Sequence, residues 1–256
     1  MTPTSVTFHA LGGLPLVEPG DDLAALLTNA LQASGLGLQD RDLLVVAQKI
    51  VSKAEGRYVA LADVTPSPKA QELARATGKD ARYIEVVLSQ SVDIVKVGPH
   101  VVVAGHKLGF VMANAGIDES NIRQIPGAER VLLLPEDPDA SAGRLKARLD
   151  AAFGVSIGVV INDSFGRPWR NGVVGVALGA AGTPALVDRV GAPDLFGRRL
   201  KVTEIGFADE LASAASLLMG QADEGLPVVL VRGLVVAAPE RPASALTRPR
   251  ERDMFR

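Results

Sequence analysis

Val159-Val-Ile-Asn-Asp-Ser-Phe-Gly-Arg-Pro-Trp-Arg-Asn-Gly172 opens on branched apolar residues and turns polar within three positions. An unbroken apolar run of this kind reads as a strand covered on both faces. Just before it, residues 139–153 place Leu145, Leu149 and Phe153 on one helical stripe and Lys146 and Arg148 off it. A helix feeding a buried strand gives the chain a mixed α/β pattern. The strand is expected over 155–161, ending in Asn162, Asp163 and Ser164, with a turn through Gly166. Acidic and hydroxyl groups at the end of a buried strand are well placed to hold a hard cation beside a phosphate.

The same pattern recurs on either side. Residues 42–47, DLLVVA, form a second buried strand, preceded by a helix over 21–32 that starts at Gly20-Asp21-Asp22. Helices are expected over 67–77, with Ser67 as cap and Pro68 at the first position, and over 84–90. Residues 101–104 and 109–113 read as paired strands around Gly105-His106. In 208–219, Leu211, Ala215, Leu218 and Met219 make one stripe, and Gly220 follows where the helix should stop. Short strands are expected at 228–231 and 234–236, around Arg232-Gly233. The alternation is too irregular for a doubly wound sheet or an eightfold barrel. Residues 1–237 are expected to form one domain and the Arg/Pro-rich 238–256 a poorly ordered tail or a basic arm.

Composition narrows the function. Of 256 residues, 47% are hydrophobic and 22% charged, an ordinary globular balance. Lys plus Arg is 27 against 29 for Asp plus Glu, so no basic excess points to nucleic acid. Cysteine is absent, which removes disulfides, thiolate metal sites and a Cys nucleophile. The three histidines, His9, His100 and His106, make no i, i+4 pair, so H-E-x-x-H zinc chemistry is excluded. Any metal must rest on oxygen ligands, which suits Mg²⁺ or Mn²⁺. Nothing resembles a signal peptide or a membrane span, and a cytoplasmic enzyme is the expectation.

Five polar segments could carry chemistry. In 159–172, Asp163 supplies charge, Ser164 a neutral oxygen, and Arg167 and Arg170 planar forks for an anion. Residues 113–121, ANAGIDESN, gather Asn114, Asp118, Glu119 and Asn121. Residues 48–57, QKIVSKAEGR, put Lys49 and Lys53 at i, i+4, on one helical face or flanking one loop. Glycines 172, 175, 179, 182, 191 and 197 allow close backbone approach, to phosphate or to a neighbouring element, but form neither a Walker A motif nor a dinucleotide fingerprint. Gln221, Asp223 and Glu224 lie in a glycine-flanked loop. Each segment also has a plain structural reading as a turn, a cap or a solvated face. Together they favour a metal-dependent enzyme acting on a phosphorylated substrate.

Several long motifs in order give a sharper pointer. They are GLPLV at 13–17 with GDDL at 20–23, VVAQKIVSKAEGR at 45–57, NAGIDESN at 114–121, VVINDSFGRPWRNGVVG at 159–175, GAPDLFGRRL at 191–200 and ADELASAASLLMGQADEGLPVVLVRG at 208–233. In these the chain resembles the coenzyme F420-0:L-glutamate ligase (F420 gamma-glutamyl ligase) family, in a stand-alone form without the nitroreductase-like domain of some relatives. The resemblance implies an α+β (mixed α/β) fold particular to the family, with mixed sheets, and an intertwined homodimer, with the small residues of 172–185 suited to close packing.

It also implies a reaction. GTP activates the lactyl carboxylate of coenzyme F420-0 as an acyl phosphate, L-glutamate attacks through its amine, and further rounds extend a γ-linked tail. Divalent-metal ligands (Mg²⁺ or Mn²⁺) fall on Asp118, Asp163, Ser164 and Gln221, and K⁺ is a further expected cofactor. GTP contacts fall on Leu14, Pro15, Leu16 and Val17, on Gln48, Lys49, Lys53 and Asn121, and on Met219, Gly220, Gln221, Ala222, Asp223, Glu224, Gly225 and Leu226. Gln48-Lys49 stands where some members carry small hydroxyl residues, and Ser164 where some carry Thr. Asp163, with Arg167 and Arg170 added on physical grounds for the acidic substrate, makes the catalytic set. A related amide ligase with another acceptor, and a nucleotide-binding protein without catalysis, are the alternatives.

Overall fold

The computed structural model describes residues 5–253. Its main body is a five-stranded sheet in the order β1-β12-β2-β8-β9. β1 is Thr7–Ala10, β2 Leu43–Ala47, β8 Gly158–Arg167, β9 Arg170–Ala181 and β12 Val228–Arg232. Only β2 and β8 run parallel, with Leu43 opposite Gly158 and Ala47 opposite Asn162; the other neighbours are antiparallel. Four helices cover the sheet: α1 (Leu23–Ala33), α2 (Gln48–Ala54), α5 (Pro138–Phe153) and α6 (Phe207–Met219).

Strand alternation decides the two cores. Leu44, Val46, Val159, Ile161, Val228 and Leu230 face the helices α1, α2 and α5. Leu43, Val45, Val160, Val229 and Val231 face α6, packing on Leu211, Ala212 and Ala215. Burying each of these large side chains is worth about 1.5–3 kcal/mol. The near-continuous apolar runs in 43–46, 159–161 and 228–231 follow from helices on both sides of the sheet.

Between α2 and α5 the chain makes a long excursion. β3 (Tyr58–Ala60) pairs with β7 (Arg130–Leu132) and fastens its two ends. Inside lie α3 (Pro68–Thr77), α4 (Ala81–Gln90) and the antiparallel sheet β4 (Ser91–Gly98), β5 (Val101–His106) and β6 (Val111–Ala113). This lobe has its own core, in which Leu73, Ile84, Val87, Val102 and Val131 are buried. Phe110 meets Phe165 edge-on, ring centres 5.9 Å apart, against the outer part of β8. After β9, short strands β10 (Val187–Asp188) and β11 (Glu204–Ile205) base a projecting loop tipped by exposed Leu195 and Phe196.

Most expected elements are present, with informative shifts. The cap of α3 is Ser67, accepting from Ala70 N–H, with Pro68 next. Helix α5 starts one residue earlier than expected, capped by Asp137, and α4 starts at Ala81 on Asp80. Strand β8 begins later, at Gly158, and does not stop at Asp163: it continues to Arg167, and the turn falls at Pro168-Trp169. Pairing with β9 keeps the polar half extended. Residues 234–236 form no strand; β12 finds its partners in β1 and β2, so no hairpin forms around Arg232-Gly233. Within 238–253 the chain is anchored: Ala243 is fully buried, and its N–H donates to Asp139 Oδ1 at 2.7 Å. Among the described residues no helix is long and apolar enough to cross a membrane.

Candidate active site

One end of the main sheet collects four chain segments. β2 and β8 reach it with their carboxyl ends, β1 leads into it through 11–17, and the loop after α6 enters it before β12 starts. They enclose a cleft of about 430 Å³. Every expected nucleotide contact lines it: 14–17, Gln48, Lys49, Lys53, Asn121 and 219–226. So do Asp163 and Ser164. A crevice beyond the carboxyl ends of parallel strands is the common ligand position in sheets of this kind.

The acidic centre is assembled across two lobes. Asp163 stands on β8. Asp118 comes from the excursion, where its backbone exchanges hydrogen bonds with Leu132 (2.9 and 3.0 Å). The turn that delivers it bends through Asn114, Ala115 and Gly116, all with positive φ, and Ala115 at φ 50° carries real strain. Asn114 Oδ1 holds this turn by accepting from Val102 N–H at 3.0 Å. Lys49, in the first turn of α2, places Nζ 2.7 Å from Asp118 Oδ1. Asp118 Oδ2 is buried, with no partner among the described residues.

Burial dominates the electrostatics. Asp163 keeps a little solvent contact through the cleft, but protein crowds its carboxyl. Burial first, and then the Asp118 charge, push it up to about 7, against the opposing pull of Lys49. Asp118 is raised as well, by burial, with Lys49 opposing. Burial lowers Lys53, with Lys49 and Arg130 adding repulsion. Two carboxylates that resist ionising together leave a deficit of positive charge between them.

Neutral oxygens complete the surroundings. Ser164 Oγ donates to Gln221 Oε1 at 2.7 Å. Gln48 Oε1 and Asn162 Oδ1 are buried acceptors to which no group among the described residues donates. Their amide nitrogens donate to Ser52 Oγ at 2.7 Å and Ser216 Oγ at 3.1 Å. Among the described residues no three acidic or histidine side chains cluster at metal-binding reach. A cation here would therefore be held by carboxylate and neutral oxygens together, a hard-ligand set. The unpartnered Asp118 Oδ2 fits that role.

The loop after α6 is shaped from within. Gly220 takes φ 72° and ψ −173°, a conformation essentially confined to glycine. A Cβ there would lie 2.0 Å from Glu224 Cδ. Glu224 Oε2 accepts Ala222 N–H at 2.8 Å, and Ala222 O accepts from Asn121 Nδ2 at 2.8 Å. Lys53 Nζ in turn donates to Asn121 O at 2.6 Å. α2, the Asn121 loop and the 219–226 loop are thus latched across the cleft.

Arg167 and Arg170 lie elsewhere. They face each other at the tip of the β8–β9 hairpin, outside the cleft lining. Arg167 is four residues beyond Asp163, about 13 Å along an extended strand. Ala47, Ile50, Asn162 and Pro227 line the cleft without having been assigned a role in the sequence. For Asn162, 5% exposed, the signal was a polar amide following an apolar strand run. The glycines of β9 serve close approach to helices: a Cβ on Gly175 would sit 2.3 Å from Ala212 O, and one on Gly179 2.2 Å from Pro138 O.

Comparison with known proteins decides the family. Residues 13–233 match the F420-0:Gamma-glutamyl ligase family. The chain belongs to this family. It is 48% identical over 264 residues to the coenzyme F420:L-glutamate ligase of Methanopyrus kandleri, covering 96% of this chain and 100% of that protein. The protein of the same name from Methanothermobacter thermautotrophicus is 47% identical over 253 residues, 98% of this chain and 99% of the relative. That from Methanocaldococcus jannaschii is 45% identical over 219 residues, 86% of each. Membership in the ligase family spans both lobes and every segment of the cleft.

Proposed function

We propose that this chain is a ligase of coenzyme F420 biosynthesis, forming a C–N bond between the lactyl carboxylate of coenzyme F420-0 and the amine of L-glutamate with GTP as energy source. The observation that carries this reading is a cleft lined by Asp163, Lys49 and Lys53, behind which Asp118 from the other lobe holds Lys49 and acts on Asp163 through its charge. The names of the relatives support coenzyme F420 and L-glutamate as the substrates.

In this reading the acceptor carboxylate attacks the γ-phosphorus of GTP, and the bond to the β-phosphate oxygen breaks to release GDP. The glutamate amine then attacks the acyl phosphate carbon, phosphate departs, and the amine loses a proton as the amide forms. A further round on the new γ-carboxylate extends the tail. No protein nucleophile is needed. Residues 14–17 and 219–226 wrap the nucleotide, and Lys49 and Lys53 meet its phosphates. A Mg²⁺ or Mn²⁺ ion held by Asp118, Asp163, Ser164 and Gln221 would supply charge neutralisation at the transferring phosphoryl group. Arg167 and Arg170, at the hairpin tip, receive the acidic end of a substrate that extends out of the cleft.

The reading also includes K⁺ dependence, a cytoplasmic site of action and a homodimer. Leu195, Phe196 and Val202 are 98%, 96% and 85% exposed on the loop between β10 and β11, apolar side chains suited to contact with a second copy. Sedimentation of the wild type against a Leu195→Ser/Phe196→Ser variant tests the dimer. Replacing K⁺ by Na⁺ in the assay tests the monovalent ion. The activity is tested by incubating the chain with coenzyme F420-0, L-glutamate, GTP and Mn²⁺. A mass gain of one glutamyl unit with GDP release is expected; folded protein giving neither would overturn the proposal.

A further inference from the structure

We propose that Lys49 is a tethered placeholder cation: it holds the Asp118 carboxylate in the metal-free protein, and a divalent cation displaces it toward the nucleotide phosphates. The inference rests on reading the cleft as a cation and nucleotide site, and goes beyond it by coupling the two ligands through one side chain.

Four observations carry it. Lys49 Nζ lies 2.7 Å from one oxygen of Asp118, while the other is buried with no partner among the described residues. The carboxylate is thus half satisfied, a costly state for a buried charge. Asp163 adds a second carboxyl within reach of the Asp118 charge, and Lys49 acts on both. One ammonium therefore faces two acids, whereas a divalent ion would balance both. Lys49 is also free to leave: it lines the cleft, is 27% exposed, and reaches Asp118 on a flexible four-carbon stem. Lys53, one turn along α2, is fixed differently, by its bond to Asn121 O. Released from Asp118, Lys49 would join Lys53 as a second cation facing an anion.

This arrangement makes metal and nucleotide binding mutually reinforcing. Metal entry frees Lys49 for phosphate, and phosphate that captures Lys49 vacates the metal's place. Linkage requires the two enhancements to be equal.

The test titrates the full chain with Mn²⁺, alone and with a non-hydrolysable GTP analogue, by calorimetry or by the electron-spin signal of free Mn²⁺. Wild type, Lys49→Met and Lys49→Arg are compared. In the wild type the nucleotide analogue should tighten Mn²⁺ binding about tenfold, within the usual range of such couplings. Lys49→Met should bind Mn²⁺ alone several-fold more tightly than wild type, bind the analogue more weakly, and lose the coupling. Lys49→Arg should retain it. A second measurement uses the unaltered protein: the Lys49 ammonium resonance, protected by Asp118 without metal, should vanish into fast exchange on adding Mg²⁺. Mn²⁺ affinity in Lys49→Met equal to or below that of wild type overturns the placeholder and leaves the cation site standing. So does an ammonium signal indifferent to saturating Mg²⁺. No Mn²⁺ binding by wild type overturns the cation site, and the placeholder with it.

Discussion

Ser164 Oγ donates a 2.7 Å hydrogen bond to Gln221 Oε1, joining β8 to the loop after α6 inside the cleft. The two groups fix each other's orientation. Ser164→Ala should leave the fold intact and weaken Mn²⁺ binding about tenfold, the usual scale for losing one polar group around a cation. Ser164→Thr, which keeps the hydroxyl, should bind as wild type does. The electron-spin signal of free Mn²⁺ checks both.

Asp163→Asn should abolish glutamyl transfer, read by mass gain of the acceptor. Its effect on stability has the opposite sign. With the folded-state value raised to about 7 from the ordinary 3.8, the native protein binds more protons than the unfolded chain across that interval. Metal-free wild type should therefore lose stability as pH rises from about 4 to 7, by something on the order of a few kcal/mol shared with Asp118. In Asp163→Asn this decline should shrink. Thermal unfolding in chelator at pH 5 and pH 8 measures it; a wild type that gains stability over that interval contradicts the assignment.

Gly220→Ala should damage the site more than the fold. The new methyl would collide with the Glu224 carboxylate, and the backbone conformation is hostile to any side chain. A cost of about 1–3 kcal/mol is expected, most of it met by opening the loop. Nucleotide affinity should fall while the unfolding midpoint moves only slightly.

Gly175→Ala makes the converse prediction. Its Cβ would strike Ala212 O at 2.3 Å and Ser216 Oγ at 2.4 Å, both on α6. Backbone cannot step aside as a side-chain tip can, so α6 must shift off β9, at a cost of about 1–3 kcal/mol. Urea unfolding should show a lower midpoint at an unchanged slope.

Asp139→Ala removes the acceptor for three backbone donors: Ala180 N–H at 2.8 Å, Ala243 N–H at 2.7 Å and Ser244 N–H at 3.1 Å. Bonds to a charged acceptor are worth about 1.5–3 kcal/mol each in favourable cases. The variant should release the segment from 241 onward, and limited proteolysis should cut there well before the body of the chain.

What could be read from the sequence divides along a physical line. Local rules governed the helices: Ser67 and Pro68 start α3, and the Leu211/Ala215/Met219 stripe marks α6, because caps and periodicity act within a few residues. Apolar runs located β2, β8 and β12. Order within the sheet was not legible, since which strand lies beside which depends on pairing between residues as distant as Leu43 and Gly158. Nor was the continuation of β8 through Asp163 to Arg167. Polar residues carry weak strand preference, and only β9 alongside keeps them extended. The expected metal and nucleotide positions were placed by family motifs rather than by periodicity. That Arg167 and Arg170 stand apart from the cleft required the hairpin geometry. The Lys53–Asn121–Ala222 latch was equally invisible, because both of its links end on backbone carbonyls and no residue pattern marks them.

The parallel pairing of β2 with β8 has a kinetic consequence. Those two middle strands touch only after everything from α2 to α5, the whole excursion included, has been looped back. Closing so long a loop is entropically costly, and topologies dominated by such distant contacts assemble slowly. On dilution from denaturant, helical signal should return ahead of catalytic competence, because the strand ends that frame the cleft are among the last parts to meet.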